Sequence, residues 1–284
     1  MGLFTKKRKD AKLIKPNDAI GGIMPFIMPK RTESEVSSQM DIDITKLVEY
    51  VDNYNKEEHE YKMTYFHALT ACFAKTFYNR ERLNRFVKNK SLYERNKITF
   101  AFVAKDKLSD SGEERIICLD ILENDNIKTL SRKMAIDVFK VRKEGTNSMD
   151  SILNIFTKLP KLVLSLIVKI VMFLDNHGIN PKSLTEGDTN YASLILSNLG
   201  SIKANSIYHH LNEYGTNSIV ATIGTIREED KKKKVDLQIT LDERIADGFY
   251  FVKSIQLLEK IAAKPELLEE DFKNKIDVEL WQIY

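Results

Sequence analysis

The sequence predicts an α/β fold, a layered domain in which helices pack on a sheet. Segments with the two-residue alternation of strands are interspersed with segments whose apolar residues recur at helical spacing. The longest helical segments lie between strands. The composition, 43% hydrophobic and 30% charged over 284 residues, is typical of a globular protein with a substantial core in one large domain or two small ones.

Strands and helices already alternate in the first half of the chain. Extended alternation through residues 40–44 is followed by helical spacing of Leu47, Tyr50, Val51 and Tyr54. A strongly amphipathic helix comes next, and its apolar face consists of Phe66, Leu69, Thr70, Phe73 and Phe77. Two buried strands, "NKITFAFVAKD" and "ERIICLDILEN", precede a helix that starts near Ile127 and is predicted to end at Gly145.

The second half begins with a helical region over residues 149–175, followed by a loop and three strands. The first of these strands, in "NYASLILSNLGS", breaks at residues 198–200. The other two, "NSIVATIGTI" and "VDLQITL", are joined by the polar "REEDKKKK", which is predicted to be a solvated hairpin tip. A helix over residues 248–262 and a short acidic helix complete the chain.

The charge balance argues against nucleic acid as a partner. The 44 basic and 41 acidic residues give a net charge of only +3. Residues 1–30 are predicted to be a basic, solvated N-terminal arm without the apolar segment of a secretory signal. Cys72 and Cys118 are the only cysteines and form no disulfide framework, which favours a cytoplasmic location.

Residues 162–174 form an unusually apolar run, interrupted by Lys169. About twenty apolar residues are needed to span a bilayer, so this shorter, charged run is not predicted to cross one. We expect its helix to be buried between other elements or beneath a partner subunit. Shallow contact with a membrane is the less favoured alternative.

Two polar segments stand where strands end, namely "LILSNLGS" (residues 194–201) and "DERIADG" (residues 242–248). Each has a purely local explanation. The first is a strand end followed by a turn. In the second, Asp247 is placed to cap the last long helix by accepting a hydrogen bond from a backbone N–H group.

Taken in chain order, these segments resemble the catalytic domain of the 2-oxoacid dehydrogenase acyltransferases, the relatives of chloramphenicol acetyltransferase. That family has an I-S-N-L-G-like segment, a hairpin, and H-x-x-x-D-G at the start of its last long helix. Here the corresponding segments are "LSNLG", "TNSIVATIG" and "DERIADGFYFVKSIQLLEKI". Earlier, "MDIDITKLVEYV", "MTYFHALTACFAKTFYNRERLN" and "ITFAFVAKD" are similar to the family's first strand and helix, second helix and following strand.

The resemblance identifies residues 31–284 as an acyltransferase-like catalytic domain, with residues 146–190 as a helical elaboration. It implies a mixed sheet flanked by helices and a homotrimer with its active sites between subunits. CoA or acyl-CoA would enter one end of each channel, and the acyl acceptor or donor the other. The chain shows no lipoyl or subunit-binding domain of its own, so two alternatives stay open: a lipoyl-bearing protein in trans, or a free acceptor as in chloramphenicol acetyltransferase.

Residue roles follow from the same resemblance. Ser197 would donate a hydrogen bond to the tetrahedral oxyanion. Asp247 would hold the shape of its loop, commonly through an arginine. The remaining positions are structural residues of the two turns: Asn198, Gly200, Arg244 and Gly248.

The family's general-base histidine is replaced by Glu243. A carboxyl has an ordinary pKa of about 4.3, against about 6.5 for imidazole, and is therefore the weaker base. Desolvation in a channel counteracts this difference. Three interpretations stay open: a working carboxylate base, an ion-pair residue in a site that has lost acyl transfer, with Arg244 as a candidate partner, or a different reaction.

Other histidines are expected to have structural or surface roles. His209 and His210 are predicted in a short helical turn, and His67 is predicted to be a packed or capping imidazole. No pair of His, Cys or carboxylate residues has the sequence spacing of metal ligands, so no metal site is predicted.

From the resemblance we expect a CoA-dependent acyltransferase-type protein, with a catalytically inactive structural or regulatory homologue as the alternative.

Overall fold

Two β-sheets and their flanking helices make up the computed structural model, which describes residues 7–105, 114–144, 156–179 and 181–276. The strands are β1 (Ala11–Leu13), β2 (Glu35–Asp43), β3 (Arg85–Lys88), β4 (Ser91–Arg95), β5 (Ile98–Lys105), β6 (Glu114–Ile121), β7 (Leu194–Asn198), β8 (Ile219–Glu229) and β9 (Lys232–Asp242). The helices are α1 (Ala19–Ile27), α2 (Thr45–Tyr54), α3 (Tyr65–Asn79), α4 (Ile127–Glu144), α5 (Lys161–Asn176), α6 (Lys182–Thr185) and α7 (Gly248–Ala263).

The larger sheet has six strands in the order β2-β9-β8-β7-β5-β6. Strand β7 runs parallel to both of its neighbours, whereas the β2–β9, β8–β9 and β5–β6 pairs are antiparallel. The predicted α/β architecture with a mixed sheet and flanking helices is confirmed. The C-terminal end of β7 pairs with β8, with Asn198 in register with Ile223.

The apolar core lies between one face of this sheet and helices α2, α3, α4 and α7. Aromatic side chains of α3 pack against those of β5. The ring centroids of Phe77 and Phe100 are 5.0 Å apart, and those of Phe66 and Phe102 are 5.6 Å apart. The predicted alternation of β9 is confirmed, since its core residues are all buried: Val235, Leu237, Ile239 and Leu241.

The opposite face of the sheet is polar and is covered by an irregular segment, residues 203–216. Thr222 Oγ1 donates to the Ile207 carbonyl (2.6 Å), and the Asp236 carboxylate accepts from the Ser206 amide (2.6 Å). The helical turn predicted at residues 209–210 is wrong, because polar side chains of the sheet hold the neighbouring backbone in an irregular run.

From residue 7 onward, the N-terminal segment belongs to the folded domain. Strand β1 pairs antiparallel with β4, which also pairs with β3 in a second, three-stranded sheet. The Arg8 side chain is buried, and its Nη2 lies 2.8 Å from Asp175 Oδ1. The prediction of a separate solvated arm over residues 1–30 is therefore wrong for the described part of that range. Arg8 has a buried acidic partner, Asp175, which the local charge pattern does not reveal.

The β8–β9 hairpin is longer than predicted. Only Asp230 and Lys231 form the turn, each with a positive φ (51° and 62°), and the rest of "REEDKKKK" extends the two strands. Lys234 lies 2.9 Å from Glu229 across the hairpin. Opposite charges on facing strands stabilise the ladder, which explains why this polar segment pairs instead of forming a loop.

Helix α5 contains the apolar residues 162–174 and is not buried between other elements, contrary to one of the two expectations. Leu162, Leu166 and Phe173 have exposed fractions of 86%, 59% and 52%. Among the described helices, none combines the length and the apolar character needed to cross a bilayer. Gly145 and the segment up to residue 155 lie outside the described residues, so the helix end predicted there stays a prediction.

Candidate active site

Ser197 is the fourth residue of β7 and lies on the face of the sheet away from the core. Its neighbours Leu194 and Leu196 point into the core, so alternation places Ser197 on the polar face, half-buried and in register with Thr222 of β8. Its hydroxyl makes no hydrogen bond to any residue in the described ranges. A hydroxyl in this state is available to donate to a ligand.

The turn after Ser197 depends on a close approach of two backbones. Asn198 precedes a 3₁₀ helix, Leu199–Ile202, and its carbonyl accepts from Ser201 Oγ (2.8 Å). A Cβ atom on Gly200 would lie 2.5 Å from the Gly224 carbonyl oxygen of β8. Glycine is therefore required at position 200 by contact with β8.

A buried ion pair closes the end of β9. Arg244 Nε lies 2.8 Å from Asp242 Oδ1 and Nη2 lies 2.7 Å from Oδ2. Arg244 Nη1 also donates to the Met28 carbonyl (2.9 Å), and Ser34 Oγ donates to Asp242 (3.0 Å). Both charged side chains are almost inaccessible to water, so the loop has one well-defined conformation.

Glu243 stands between these two paired residues but takes no part in the pair. Its amide donates to the Ser34 carbonyl (2.9 Å), and its side chain is half-buried. The carboxylate forms no hydrogen bond or ion pair with the described part of the chain. The interpretation of Glu243 as an ion-pair partner of Arg244 is therefore wrong, because the guanidinium is already bound to Asp242.

Asp247 caps the helix that follows. Its Oδ1 accepts from the Tyr250 amide (2.8 Å), as the local interpretation of the segment predicts, and its Oδ2 lies 3.3 Å from Arg82 Nη1. The guanidinium of Arg82 also lies over the ring of Tyr250, 4.8 Å from its centroid. Gly248 opens α7 with free space around it and no positive φ, so the single chain does not itself require glycine there.

One chain does not bring Ser197 and Glu243 together. Ser197 is in register with Thr222, which is in register with Gln238 of β9, and Glu243 comes five residues after Gln238. At about 3.3 Å per residue and about 4.8 Å per strand, the two lie roughly 17 Å apart along the strands and about 10 Å across them. A joint site therefore needs residues from two chains.

Comparison with solved structures identifies the fold. A probable dihydrolipoamide acetyltransferase from Listeria monocytogenes matches with a TM-score of 0.56 at 17% identity, over 95% of this chain and 98% of that one. The dihydrolipoamide acetyltransferase of Azotobacter vinelandii has a TM-score of 0.58 at 12% identity, over 88% of each chain. A chloramphenicol acetyltransferase has a TM-score of 0.55 at 8% identity, over 89% of this chain and 99% of that one.

The chain has the chloramphenicol acetyltransferase fold. No protein-family model matches its sequence, and no curated protein is significantly similar to it in sequence. At these identities the structural likeness establishes the fold alone.

Within this acyltransferase fold, His67 is a structural residue. Its Nδ1 accepts from the Thr64 amide (3.4 Å) at the first turn of α3, and burial lowers its pKa to about 4. The prediction of a packed or capping imidazole is confirmed. His209 and His210 are exposed and stacked on each other, with 5.2 Å between ring centroids.

Exposed apolar side chains border both halves of the candidate site, and sequence reasoning missed them. Ile202 follows the Ser197 turn, while Phe249 and Val252 occupy the first turns of α7 after Glu243. Phe249 has an exposed fraction of 75%. The signal is present in "DGFYFV", where apolar residues fill more positions than one core-facing stripe of a helix requires.

Proposed function

We propose that this protein is an acyltransferase that moves an acyl group to or from CoA at sites formed between the protomers of a homotrimer. The proposal rests on two polar side chains that have no hydrogen-bond or ion-pair partner among the described residues of a chain with the chloramphenicol acetyltransferase fold. The Ser197 hydroxyl and the Glu243 carboxylate both lack partners among the described residues, and the segment that carries each is bordered by exposed apolar residues.

The distance between the two residues supports assembly. They lie too far apart in one chain to act on the same atom, so the hydroxyl of one protomer would meet the carboxylate of its neighbour. Large exposed apolar side chains such as Phe249 are typical of surfaces that pack against another protein. One structural neighbour, at 12% identity and a TM-score of 0.57, is the cubic core of the pyruvate dehydrogenase multienzyme complex, which is itself an assembly.

In the proposed reaction, Glu243 takes the proton of an attacking thiol or hydroxyl, and the resulting anion adds to the acyl carbonyl carbon. Ser197 donates a hydrogen bond to the oxyanion that forms there. Collapse of the tetrahedral intermediate breaks the bond to the leaving thiolate, which recovers the proton from Glu243. Removal of water by the neighbouring protomer would strengthen a carboxylate as a base.

Asp247 would act as a positioning residue for this step. It holds the first turn of α7 through the Tyr250 amide and contacts Arg82, so it controls where the loop containing Glu243 lies. In the dihydrolipoamide acetyltransferase of Azotobacter vinelandii, the residues tested for roles in catalysis are a serine and a histidine and asparagine four positions apart. Glu243 and Asp247 have that same spacing.

The acyl donor would be a thioester, either acyl-CoA or an acylated lipoyl group carried by another protein. When the donor is acyl-CoA, CoA is the product, and release of its thiol reports turnover directly. When the donor is an acylated lipoyl group, CoA is the acceptor and its thiol is consumed. The protein's own thiols contribute little background, because Cys72 is buried and burial raises the pKa of Cys118 to about 12.

The test uses the full chain, titrated with CoA and acetyl-CoA and followed by thiol release with an acyl acceptor. We expect Glu243→Gln to lower kcat by ~10²-fold to ~10⁴-fold through loss of the base. Ser197→Ala should lower it by ~10²-fold to ~10³-fold through loss of the oxyanion donor. Glu58→Gln, at an exposed carboxylate without a partner among the described residues, is the matched control and should leave kcat unchanged.

Glu243→His discriminates further, because imidazole titrates nearer neutrality than a carboxyl. We expect this variant to be active, with a pH midpoint moved toward pH 6.5. Light scattering should give three protomer masses for the wild type. A monomer, or turnover that survives Glu243→Gln, would overturn the proposal.

One observation favours a second candidate function, a trimer that binds CoA without acyl transfer. A carboxylate occupies the position where the motif resemblance places an imidazole base. CoA binding without thiol release, unchanged by Glu243→Gln, would support this structural or regulatory role instead.

A further inference from the structure

Helix α5 carries a large exposed apolar surface. Six of its large apolar residues are exposed: Leu162, Val163, Leu166, Val168, Ile170 and Phe173. No other described helix or strand packs along its length. Exposed apolar surface of this extent on a protein marks a site of contact with another molecule or with lipid.

The polar residues of α5 occupy a narrow stripe. Lys161, Ser165 and Lys169 follow each other at intervals of four, which confines them to a sector of about 80° at 3.6 residues per turn. Beside this stripe lie exposed apolar residues such as Leu162 and Phe173, whereas Leu164, Ile167 and Val171, on another side of the helix, are half-buried. The outward side of α5 is therefore apolar with a basic edge.

The charge of α5 indicates what kind of surface it would meet. Both charged residues on its exposed length, Lys161 and Lys169, are basic. Its one acidic residue, Asp175, is buried. A narrow basic stripe beside a broad apolar surface is the pattern of helices that lie at the boundary between acyl chains and anionic headgroups.

The helix is firmly held at one end. Asp175 Oδ1 lies 2.8 Å from Arg8 Nη2, and Asp175 Oδ2 lies 2.9 Å from Lys88 Nζ. Gly178 ends the helix with a positive φ of 76°, where a Cβ atom would lie 2.4 Å from the Lys7 carbonyl oxygen. These contacts fix the C-terminal end of α5 to the rest of the folded chain, while six apolar side chains between Leu162 and Phe173 are exposed.

We propose that α5 is a peripheral membrane anchor that lies in the plane of an anionic phospholipid bilayer. Sixteen residues give a helix about 24 Å long, shorter than the apolar thickness of a bilayer, which is consistent with an in-plane orientation. Its apolar sides enter the acyl-chain boundary, and Lys161 and Lys169 reach the headgroups. This inference is independent of acyl transfer, since it rests on a surface outside the candidate active site.

The test is co-sedimentation of the full chain with unilamellar vesicles of phosphatidylcholine and phosphatidylglycerol at three parts to one, compared with pure phosphatidylcholine. The decisive variant is Leu166→Glu. Its matched control is Leu122→Glu, the same exchange at a leucine with an exposed fraction of 55%, close to the 59% of Leu166. A variant with Lys161→Gln and Lys169→Gln tests the basic stripe, and thermal melting verifies that all variants fold.

We expect the wild type and Leu122→Glu to bind anionic vesicles, and Leu166→Glu to need about tenfold more lipid or more for half-maximal binding. The double lysine variant should lose the preference for anionic over neutral vesicles. Absence of vesicle binding by the wild type would overturn the proposal. So would binding that Leu166→Glu leaves intact, or self-association of the chain, without vesicle binding, that Leu166→Glu abolishes.

Discussion

Asp242 and Arg244 face inward as a buried, bidentate ion pair, and Glu243 between them has no partner among the described residues. The guanidinium donates to both carboxylate oxygens at 2.8 Å and 2.7 Å and to the carbonyl of Met28 at 2.9 Å. The three residues are consecutive, but only the outer two are satisfied by the fold. The free carboxylate is therefore a consequence of where its neighbours are bound.

Breaking this pair is expected to destabilise the protein strongly. Asp242→Ala leaves the Arg244 charge buried without its partner, at a cost of roughly 3–5 kcal/mol in the free energy of unfolding. Urea unfolding at a fixed protomer concentration measures the loss. Lys97→Ala is the control, because the exposed pair between Lys97 and Asp120 should contribute about 1 kcal/mol or less. Equal losses in the two variants would contradict the assignment.

Stability is expected to fall in mild acid because of His67. Burial lowers the pKa of His67 to about 4, whereas an unfolded histidine has a pKa of about 6.5. Between these values the unfolded chain binds the additional proton, so stability decreases as the pH falls from about 6.5 to about 4. The full effect is roughly 3 kcal/mol in the free energy of unfolding.

His67→Gln isolates this contribution, since a glutamine side chain can still accept from the Thr64 amide but does not titrate. Urea unfolding of both proteins at several pH values should give curves that diverge below pH 6.5, with the wild type losing more stability. Parallel curves would show that His67 is protonated equally in the folded and unfolded chains.

Gly200→Ala is expected to disturb the turn that follows Ser197. Its Cβ atom would lie 2.5 Å from the Gly224 carbonyl oxygen, so the backbone of one strand must shift, at about 1–3 kcal/mol. Gly248→Ala meets open space in the chain and should change the free energy of unfolding by about 0.5 kcal/mol or less. Thermal melting compares the two variants, and an equal effect would show that the contact with β8 does not restrict position 200.

Alternation and helical spacing predicted most of the larger sheet and its core. β9 and α3 were located because each turns apolar residues toward one shared core, and that periodicity is readable along the chain. β1, β3 and β4 are three to five residues long, too short for a periodic signal. The β8–β9 ladder was underestimated because charged side chains that pair across a hairpin look, in sequence, like a solvated loop.

For the candidate site, the order of motifs located Ser197, Glu243 and Asp247, and the helix-capping geometry of Asp247 followed from local sequence alone. The ion-pair partner of Arg244 could not be predicted from local sequence. Three acidic residues, at positions 242, 243 and 247, lie near it in sequence. Which of these carboxylates turns inward depends on the end of β9 and on contacts from Met28 and Ser34, more than two hundred residues earlier.

Sequence alone determined which residues face water or core along each long strand and helix, because that preference is a local property repeated with the period of the backbone. The tertiary structure decided which charges meet and which apolar faces stay uncovered. Arg8 binds Asp175 across 167 positions of sequence, and six apolar side chains of α5 remain exposed, because such outcomes depend on which elements the whole chain brings together.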